Sequence, residues 1–369
     1  MSVSPVKVGV IGCGMISGAY LRQMKMFPLL QTVACADLVP EHANARAQEF
    51  EVPRACTPEQ LLADPEVELV LNLTIPLAHY AVSRAALEAG KSVWTEKPLA
   101  VTREEGRTLL DLAAQRGLLL GCAPDTFLGG GHQTALKLLR DGWIGDPVGA
   151  TAFFTDSGPE SWHPTCEFIY QRGGGPIFDM GPYYLTMLVA LLGPVARVSS
   201  ATRMSYSERI FTCRQRLGEK IAVEVPTYVT GLLEFASGPV ATLISTYDVW
   251  AARLPHIEVY GSQGSLSAPD PNGPGGPVRF WPAGAKEWGD VPLVYRYADT
   301  SRSLGVADMA YALRYGRPHR ANGELAFHVL DVMHTLMEAA QEGCRMELAS
   351  TCSVPAPLPL GLAEGLLDE

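Results

Sequence analysis

Val6-Lys7-Val8-Gly9-Val10-Ile11-Gly12-Cys13-Gly14-Met15-Ile16-Ser17-Gly18 is a short apolar strand running into a glycine-rich turn, followed by an amphipathic helix over Ala19–Met26. Gly12 allows the tight turn, and Gly14 leaves room for a pyrophosphate to approach the backbone. Ser17 is small enough for the helix to pack on the strand. Met15 and Ile16 lie in the same loop, at the helix entrance. A second apolar strand, Thr32–Ala36, ends in Asp37, twenty residues beyond Ser17, where a carboxylate would meet the hydroxyls of an adenosine ribose. That order of strand, turn, helix, strand and acid describes a dinucleotide-binding βαβ unit. An acid at Asp37 favours NAD over NADP as the cofactor, because a 2′-phosphate would meet like charge. Arg46 falls on the next helix.

The alternation continues outward from this unit. Pro40–Phe50 reads as a helix and Glu51–Cys56 as a short strand, and Thr57 caps a helix with Pro58 at its first position. The buried strand Val67–Leu73 ends in Thr74-Ile75-Pro76, and His79 opens the helix Tyr80–Ala89. Thr74, Pro76 and His79 therefore sit at the carboxyl end of a strand, along the cofactor's path. Gly90 stops that helix, and the strand Ser92–Thr95 delivers Glu96, Lys97 and Pro98. Ligands of open parallel sheets lie beyond the carboxyl ends of the strands, so Glu96 and Lys97 are placed beside the cofactor, and Lys97 beside the substrate as well. Pro98 restricts the backbone of Lys97 and so pre-sets the direction of its side chain. A helix over Arg103–Arg116 and a strand over Leu118–Cys122 complete a doubly wound parallel sheet of six strands, a domain spanning residues 1–123.

Composition limits what such a chain binds. A length of 369 residues suits two domains, and 47% hydrophobic and 18% charged residues describe an ordinary globular protein. A net charge of −10 disfavours nucleic acid and anionic membranes as partners. No apolar run is long enough to span a bilayer. The first residues enter a strand directly, without the pattern of a signal peptide. Eight cysteines are scattered without metal-ligand spacing, as buried thiols in a reducing, cytoplasmic compartment are, and no metal is expected.

Beyond Ala123 the pattern changes. Pro124-Asp125-Thr126 and Gly129-Gly130-Gly131 mark a crossover into a helix over Gln133–Asp141. Period-two strands are then predicted at Val148–Asp156, Val195–Tyr206, Ile210–Leu217, Lys220–Val225, Tyr228–Phe235, Val240–Tyr247 and Ile257–Tyr260. Tight breaks such as Leu217-Gly218-Glu219 make hairpins of them, hence an antiparallel sheet. Pro269–Pro277 is a Pro/Gly loop, and a helix near 325–342 closes a second domain over 124–369.

Three segments resemble, in order, the glucose–fructose oxidoreductase / inositol dehydrogenase / MocA (Gfo/Idh/MocA) family of NAD(P)-dependent oxidoreductases. They are Gly12-Cys13-Gly14-Met15-Ile16-Ser17, Glu96-Lys97-Pro98-Leu99 and Gly173-Gly174-Gly175-Pro176-Ile177-Phe178-Asp179. The resemblance implies an α/β chain: an N-terminal Rossmann domain and a C-terminal α/β domain with a large open, mostly antiparallel sheet, whose exposed face forms homodimers or homotetramers. It also implies that Lys97 binds the reacting hydroxyl and that the Lys97–Pro98 peptide is often cis. The substrates implied are sugars, sugar derivatives or inositols, oxidised or reduced at a secondary alcohol or ketone.

The residues add candidates of their own. Asp179 and Tyr183 are four apart and would share a face of one helix, with Asp179 near its N-terminus, where free N–H groups hold a carboxylate ionised. The family carries a histidine acid/base at the position of Tyr183. A tyrosine titrates too high to be a base at neutral pH unless a cation lowers it, and Lys97 could be that cation. Lys97, Asp179 and Tyr183 are thus the catalytic candidates, with His163 the alternative base. Trp162, His163 and Tyr170 join them as substrate contacts suited to a pyranose-like ring. His328, on the last helix, reads as structural. Two rival functions stand beside a dehydrogenase: an enzyme that retains NAD and cleaves or eliminates glycosides with no net redox, and a non-catalytic dinucleotide sensor.

Overall fold

The computed structural model describes residues 3–300 and 302–368. The first half of the fold alternates strand and helix: β1 (Val6–Ile11), α1 (Ser17–Met24), β2 (Leu30–Ala36), α2 (Pro40–Phe50), β3 (Ala55–Cys56), α3 (Pro58–Ala63), β4 (Leu69–Asn72), α4 (Pro76–Glu88), β5 (Ser92–Thr95), α5 (Arg103–Arg116) and β6 (Leu120–Cys122). All six strands are parallel, in the order β3-β2-β1-β4-β5-β6. The order reverses between β1 and β4, where a crevice opens beyond the strand ends. Local chemistry fixes the boundaries. Pro40, Pro58 and Pro76 each begin a helix, and Thr57 with Gln60 and Thr102 with Glu105 form reciprocal capping boxes.

The chain then runs through α6 (Gly130–Arg140), β7 (Pro147–Thr155), α7 (Pro176–Asp179), α8 (Gly181–Leu192), β8 (Val195–Arg203), β9 (Glu208–Ile210), β10 (Lys220–Ala222), β11 (Tyr228–Phe235) and β12 (Val240–Thr246). It finishes with β13 (Ile257–Gly261), β14 (Gly264–Ala268), β15 (Val278–Pro282), β16 (Gly289–Val291), α9 (Leu304–Tyr315), α10 (Gly323–Glu342) and β17 (Met346–Glu347). Nine strands form the second sheet, in the order β16-β15-β14-β13-β7-β12-β11-β8-β17. Its one parallel pair among the described residues is β7 with β12.

Several expectations are corrected here. The strand predicted over Ile210–Leu217 is only Glu208–Ile210; it pairs with β10 in a separate two-stranded hairpin, and 213–218 is a turn region. Arg214, Arg216 and Gly218 break the apolar alternation there, and the backbone bonds locally, with Gly218 N donating to Phe211 O at 2.9 Å. Strands β14 to β17 and helix α9 do not follow from the sequence pattern. They are short or small-residue segments whose apolar faces are defined by what packs on them, not by periodicity.

The last helices tie the two sheets together. α9 packs on β1 and β6, while α10 touches α5, β6, α8 and β8. Residues of both sheets share one continuous core, from Val8 and Trp94 to Leu188, Val229 and Leu330. Among the described residues, no helix is long and apolar enough to cross a membrane.

Candidate active site

The glycine-rich turn has the shape a dinucleotide needs. Gly12 has φ +98°, and a Cβ there would meet the Leu73 carbonyl carbon and oxygen at 2.7 Å. A Cβ on Gly14 would meet nothing within 4 Å, so its outer side is open. The N-terminus of α1 has no side-chain cap, which leaves its N–H groups for a pyrophosphate. Met15 is exposed and Ile16 partly so, at the rim of the cleft. Asp37 accepts from Cys13 N at 2.7 Å and Val39 N at 2.9 Å, so its carboxylate is fixed at the strand end beside the turn. Arg46, on α2, reaches back to Ser17 Oγ (3.0 Å) and Gly14 O (3.1 Å). These groups fit a bound NAD.

The strand ends supply the next layer. Asn72 pairs with Thr95 across β4 and β5, so Thr74 and Glu96 emerge side by side. Thr74 donates to Asn72 Oδ1 at 2.7 Å, and Pro76 starts α4. His79 is fully buried, its ring nitrogens 2.7 Å from Pro98 O and 2.9 Å from Thr74 O. It therefore ties two loops together and does not face the cleft, and burial lowers its pKa. Glu96 also points inward: it accepts from Tyr20 OH at 2.9 Å and from Lys97 N at 3.0 Å. The expected cofactor contacts at His79 and Glu96 are thus groups that shape the loop carrying Lys97. The Lys97–Pro98 peptide is cis.

Lys97 reaches across to the second sheet. Its Nζ lies 2.6 Å from Asp179 Oδ1 and 2.7 Å from Asp179 O. The other carboxylate oxygen accepts from Tyr247 OH, at the end of β12. Burial works against the Lys97 charge, but Asp179, Tyr183 and Glu96 outweigh it and hold the ammonium's pKa above its usual value. Burial likewise opposes the Asp179 charge, and Lys97, Tyr247 and His163 hold its pKa below the ordinary carboxylate value.

Asp179 and Tyr183 do not share one continuous helix. Asp179 ends the single turn α7 and Tyr183 lies in the first turn of α8, with a break at Met180. Pro182 explains the break, since it has no N–H to give to Phe178 O and cannot continue the helix through this point. Lys97 and Tyr247, not helix N–H groups, hold the Asp179 carboxylate.

Tyr183 is buried, with Lys97 Nζ 5.3 Å from its ring centroid. Burial raises its pKa above the usual phenol value; Lys97 and Arg302 pull it down without overcoming burial. The expectation that Lys97 alone brings the phenol below its ordinary range is corrected accordingly. The cation at the phenolic oxygen is Arg302, whose Nη2 donates to it at 3.0 Å.

His163 sits in the loop before α7, half-buried, with its ring 5.3 Å from that of exposed Trp162 and 5.8 Å from that of Phe168. Tyr170, expected at the substrate, is instead fully buried in a cluster with Phe211 and Tyr247. Its ring packs 6.2 Å from that of Tyr247 and 5.7 Å from the Arg209 guanidinium. Arg209 pairs with Glu160 and Asp248, pinning the Trp162–His163 loop to the sheet. His328 is buried and structural: Nε2 accepts from Val195 N at 3.0 Å. Tyr247 and Arg302 escaped the sequence reading because neither lies in a motif; they meet the site only through the fold.

Two family patterns match the chain. "Oxidoreductase family, NAD-binding Rossmann fold" covers residues 6–123, and "GFO/IDH/MocA C-terminal domain" covers residues 132–267. Among curated relatives, dTDP-3,4-didehydro-2,6-dideoxy-alpha-D-glucose 3-reductase of Streptomyces violaceoruber is 33% identical over 207 residues, 54% of this chain and 58% of its own. The 1,5-anhydro-D-fructose reductase of Ensifer adhaerens is 28% identical over 237 residues, 64% of this chain and 67% of its own. The first match thus spans little more than half the relative's length. Among solved structures, apo levoglucosan dehydrogenase superposes with a TM-score of 0.83 at 20% identity, covering 95% of this chain and 100% of that one. The aldose-aldose oxidoreductase of Caulobacter crescentus gives 0.79 at 22% identity, covering 93% and 100%. At these identities the superpositions show the fold.

Proposed function

The chain belongs to the GFO/IDH/MocA oxidoreductase family, with an NAD-binding Rossmann domain, and from that premise we propose a dehydrogenase or reductase of a secondary alcohol or ketone on a sugar or polyol. The observation that carries this reading is the meeting of Lys97, Asp179 and Tyr183 at the carboxyl edge of the first sheet. Bound NAD supplies hydride acceptance and donation. Lys97 hydrogen-bonds the reacting oxygen and stabilises the negative charge that grows there. Asp179 keeps Lys97 charged and aimed, and Tyr247 keeps Asp179 in place. Tyr183 exchanges the proton of the reacting hydroxyl, and Trp162 with His163 forms the outer wall against which a sugar ring packs. Relatives named for reduction of a dTDP-linked deoxysugar and of 1,5-anhydro-D-fructose support a carbohydrate substrate. Asp37 favours NAD over NADP.

We extend the reading to assembly. The outer face of the large sheet carries Thr151, Phe153, Leu232 and Ile244, all at least partly exposed, and a second copy would cover it.

The test is absorbance of reduced nicotinamide while purified protein meets NAD or NADP and a panel of pyranoses, deoxysugars, sugar acids and inositols. A rise, faster with NAD, is expected. No rise with any compound, from protein that still binds NAD, would overturn the dehydrogenase reading. NAD that co-purifies and is not consumed while a glycoside is cleaved would replace it with internal oxidation.

A further inference from the structure

Arg302 comes from the segment just before α9, far from every motif, yet its side chain is only 13% exposed and lies against Tyr183. Nη2 donates to the Tyr183 oxygen at 3.0 Å, the guanidinium carbon is 5.8 Å from the ring centroid, and Nε is 3.8 Å from Glu96 Oε1. Its backbone is held too: Arg302 N donates to Gln23 Oε1 at 2.7 Å, and Ser303 Oγ donates to Tyr20 O at 3.2 Å. The guanidinium therefore bridges the carboxylate behind Lys97 and the phenol in front of it.

We propose that Arg302 is a positioning residue that holds the phenolic oxygen of Tyr183 and stabilises the phenolate form this side chain takes in proton transfer. The proposal rests on the acid/base reading of Tyr183. In oxidation, which gains as alkaline pH ionises this raised phenol, the substrate O–H bond breaks and its proton goes to the Tyr183 phenolate, while the C–H bond breaks and hydride leaves with its electron pair for the dinucleotide. In reduction the phenol gives the proton and is left as phenolate, with Arg302 donating to it. Lys97 does not fill this place, because its ammonium sits over the ring, 5.3 Å from the centroid, and not at the phenolic oxygen.

Among the described residues, the charged groups that act most strongly on Tyr183 are Lys97 and Glu96 from the loop after β5, Asp179 from α7, and Arg302. The two cations favour phenolate and the two carboxylates oppose it. Removing Arg302 leaves one cation against two anions, so the phenol must titrate at higher pH.

The experiment is carbon-13 NMR of protein labelled at tyrosine Cζ, saturated with NAD and titrated with base. The Tyr183 resonance is assigned by its loss in Tyr183→Phe. In Arg302→Gln, which keeps an N–H donor but no charge, the midpoint should rise by about one pH unit or more. In Arg302→Lys, whose ammonium is one bond short, it should rise by less. Should the glutamine variant fail to fold, a midpoint in the lysine variant equal to wild type overturns the proposal. So does an equal midpoint in folded Arg302→Gln, or a wild-type Tyr183 that stays protonated up to alkaline unfolding. Tyr183→Phe that keeps wild-type turnover in the substrate panel defeats the acid/base reading separately, whatever the NMR midpoints.

Discussion

In the proposed mechanism, Tyr183 carries one expectation and Tyr247, acting through Asp179, carries another. Tyr183→Phe should lower turnover by about 10²–10⁴-fold, the usual worth of a positioned acid/base. Steady-state kinetics with the best panel compound checks this. Tyr247→Phe removes one of the groups that hold the Asp179 pKa below its ordinary value. Losing it raises the Asp179 pKa, so the acid limb of the pH–rate profile should move to higher pH; an unmoved limb would show that Tyr247 does not act through Asp179. At this scale Lys97 and Asp179 were legible because each sits in a short motif. Tyr247 and Arg302 were not, because their partners lie 68 and 119 residues away and only the fold joins them. Tyr170 misled for the opposite reason: an aromatic in a loop reads as a ligand contact until packing shows it buried.

Two elements turn on single glycines. A Cβ at Gly12 would strike the Leu73 carbonyl, and its positive φ disfavours any side chain. Gly12→Ala should therefore weaken NADH binding severalfold or more, read by nicotinamide fluorescence. At Gly305, in the first turn of α9, a Cβ would run into the Trp94 ring. Gly305→Val should lower the melting temperature by several degrees, since overpacking a core costs about 1–3 kcal/mol. An unchanged melting temperature would show that α9 docks otherwise. The first sheet was readable in advance because apolar runs, capping residues and glycine stops recur in strict alternation. The boundaries Arg103–Arg116 and Tyr228–Phe235 are the same in the sequence pattern and in the fold. α9 was not readable, because all-round burial leaves it without a polar face to set a period.

Across the whole molecule, the Lys97–Asp179 pair and helices α9 and α10 join the two sheets into one body. Buried histidines contribute to the acid side of its stability, His132 and His328 among them. Burial pushes His132 and His328 down to about 4 from 6.5. Both are neutral when folded, so their contribution is fully present above about 6.5 and is lost as pH falls toward 4. The urea midpoint should fall between pH 7 and pH 5, and His328→Gln should flatten part of that fall. Light scattering should give a dimer or tetramer, and Leu232→Glu on the outer sheet face should dissociate it; a wild-type monomer would contradict the assembly proposal. The central claim is that Lys97 acts on the reacting oxygen and not on cofactor retention. Its most direct test is Lys97→Ala, with NADH affinity measured by fluorescence and turnover measured on the best panel compound. Affinity within a few-fold of wild type with turnover down by about 10²-fold or more is expected; preserved turnover with lost NADH affinity would contradict it.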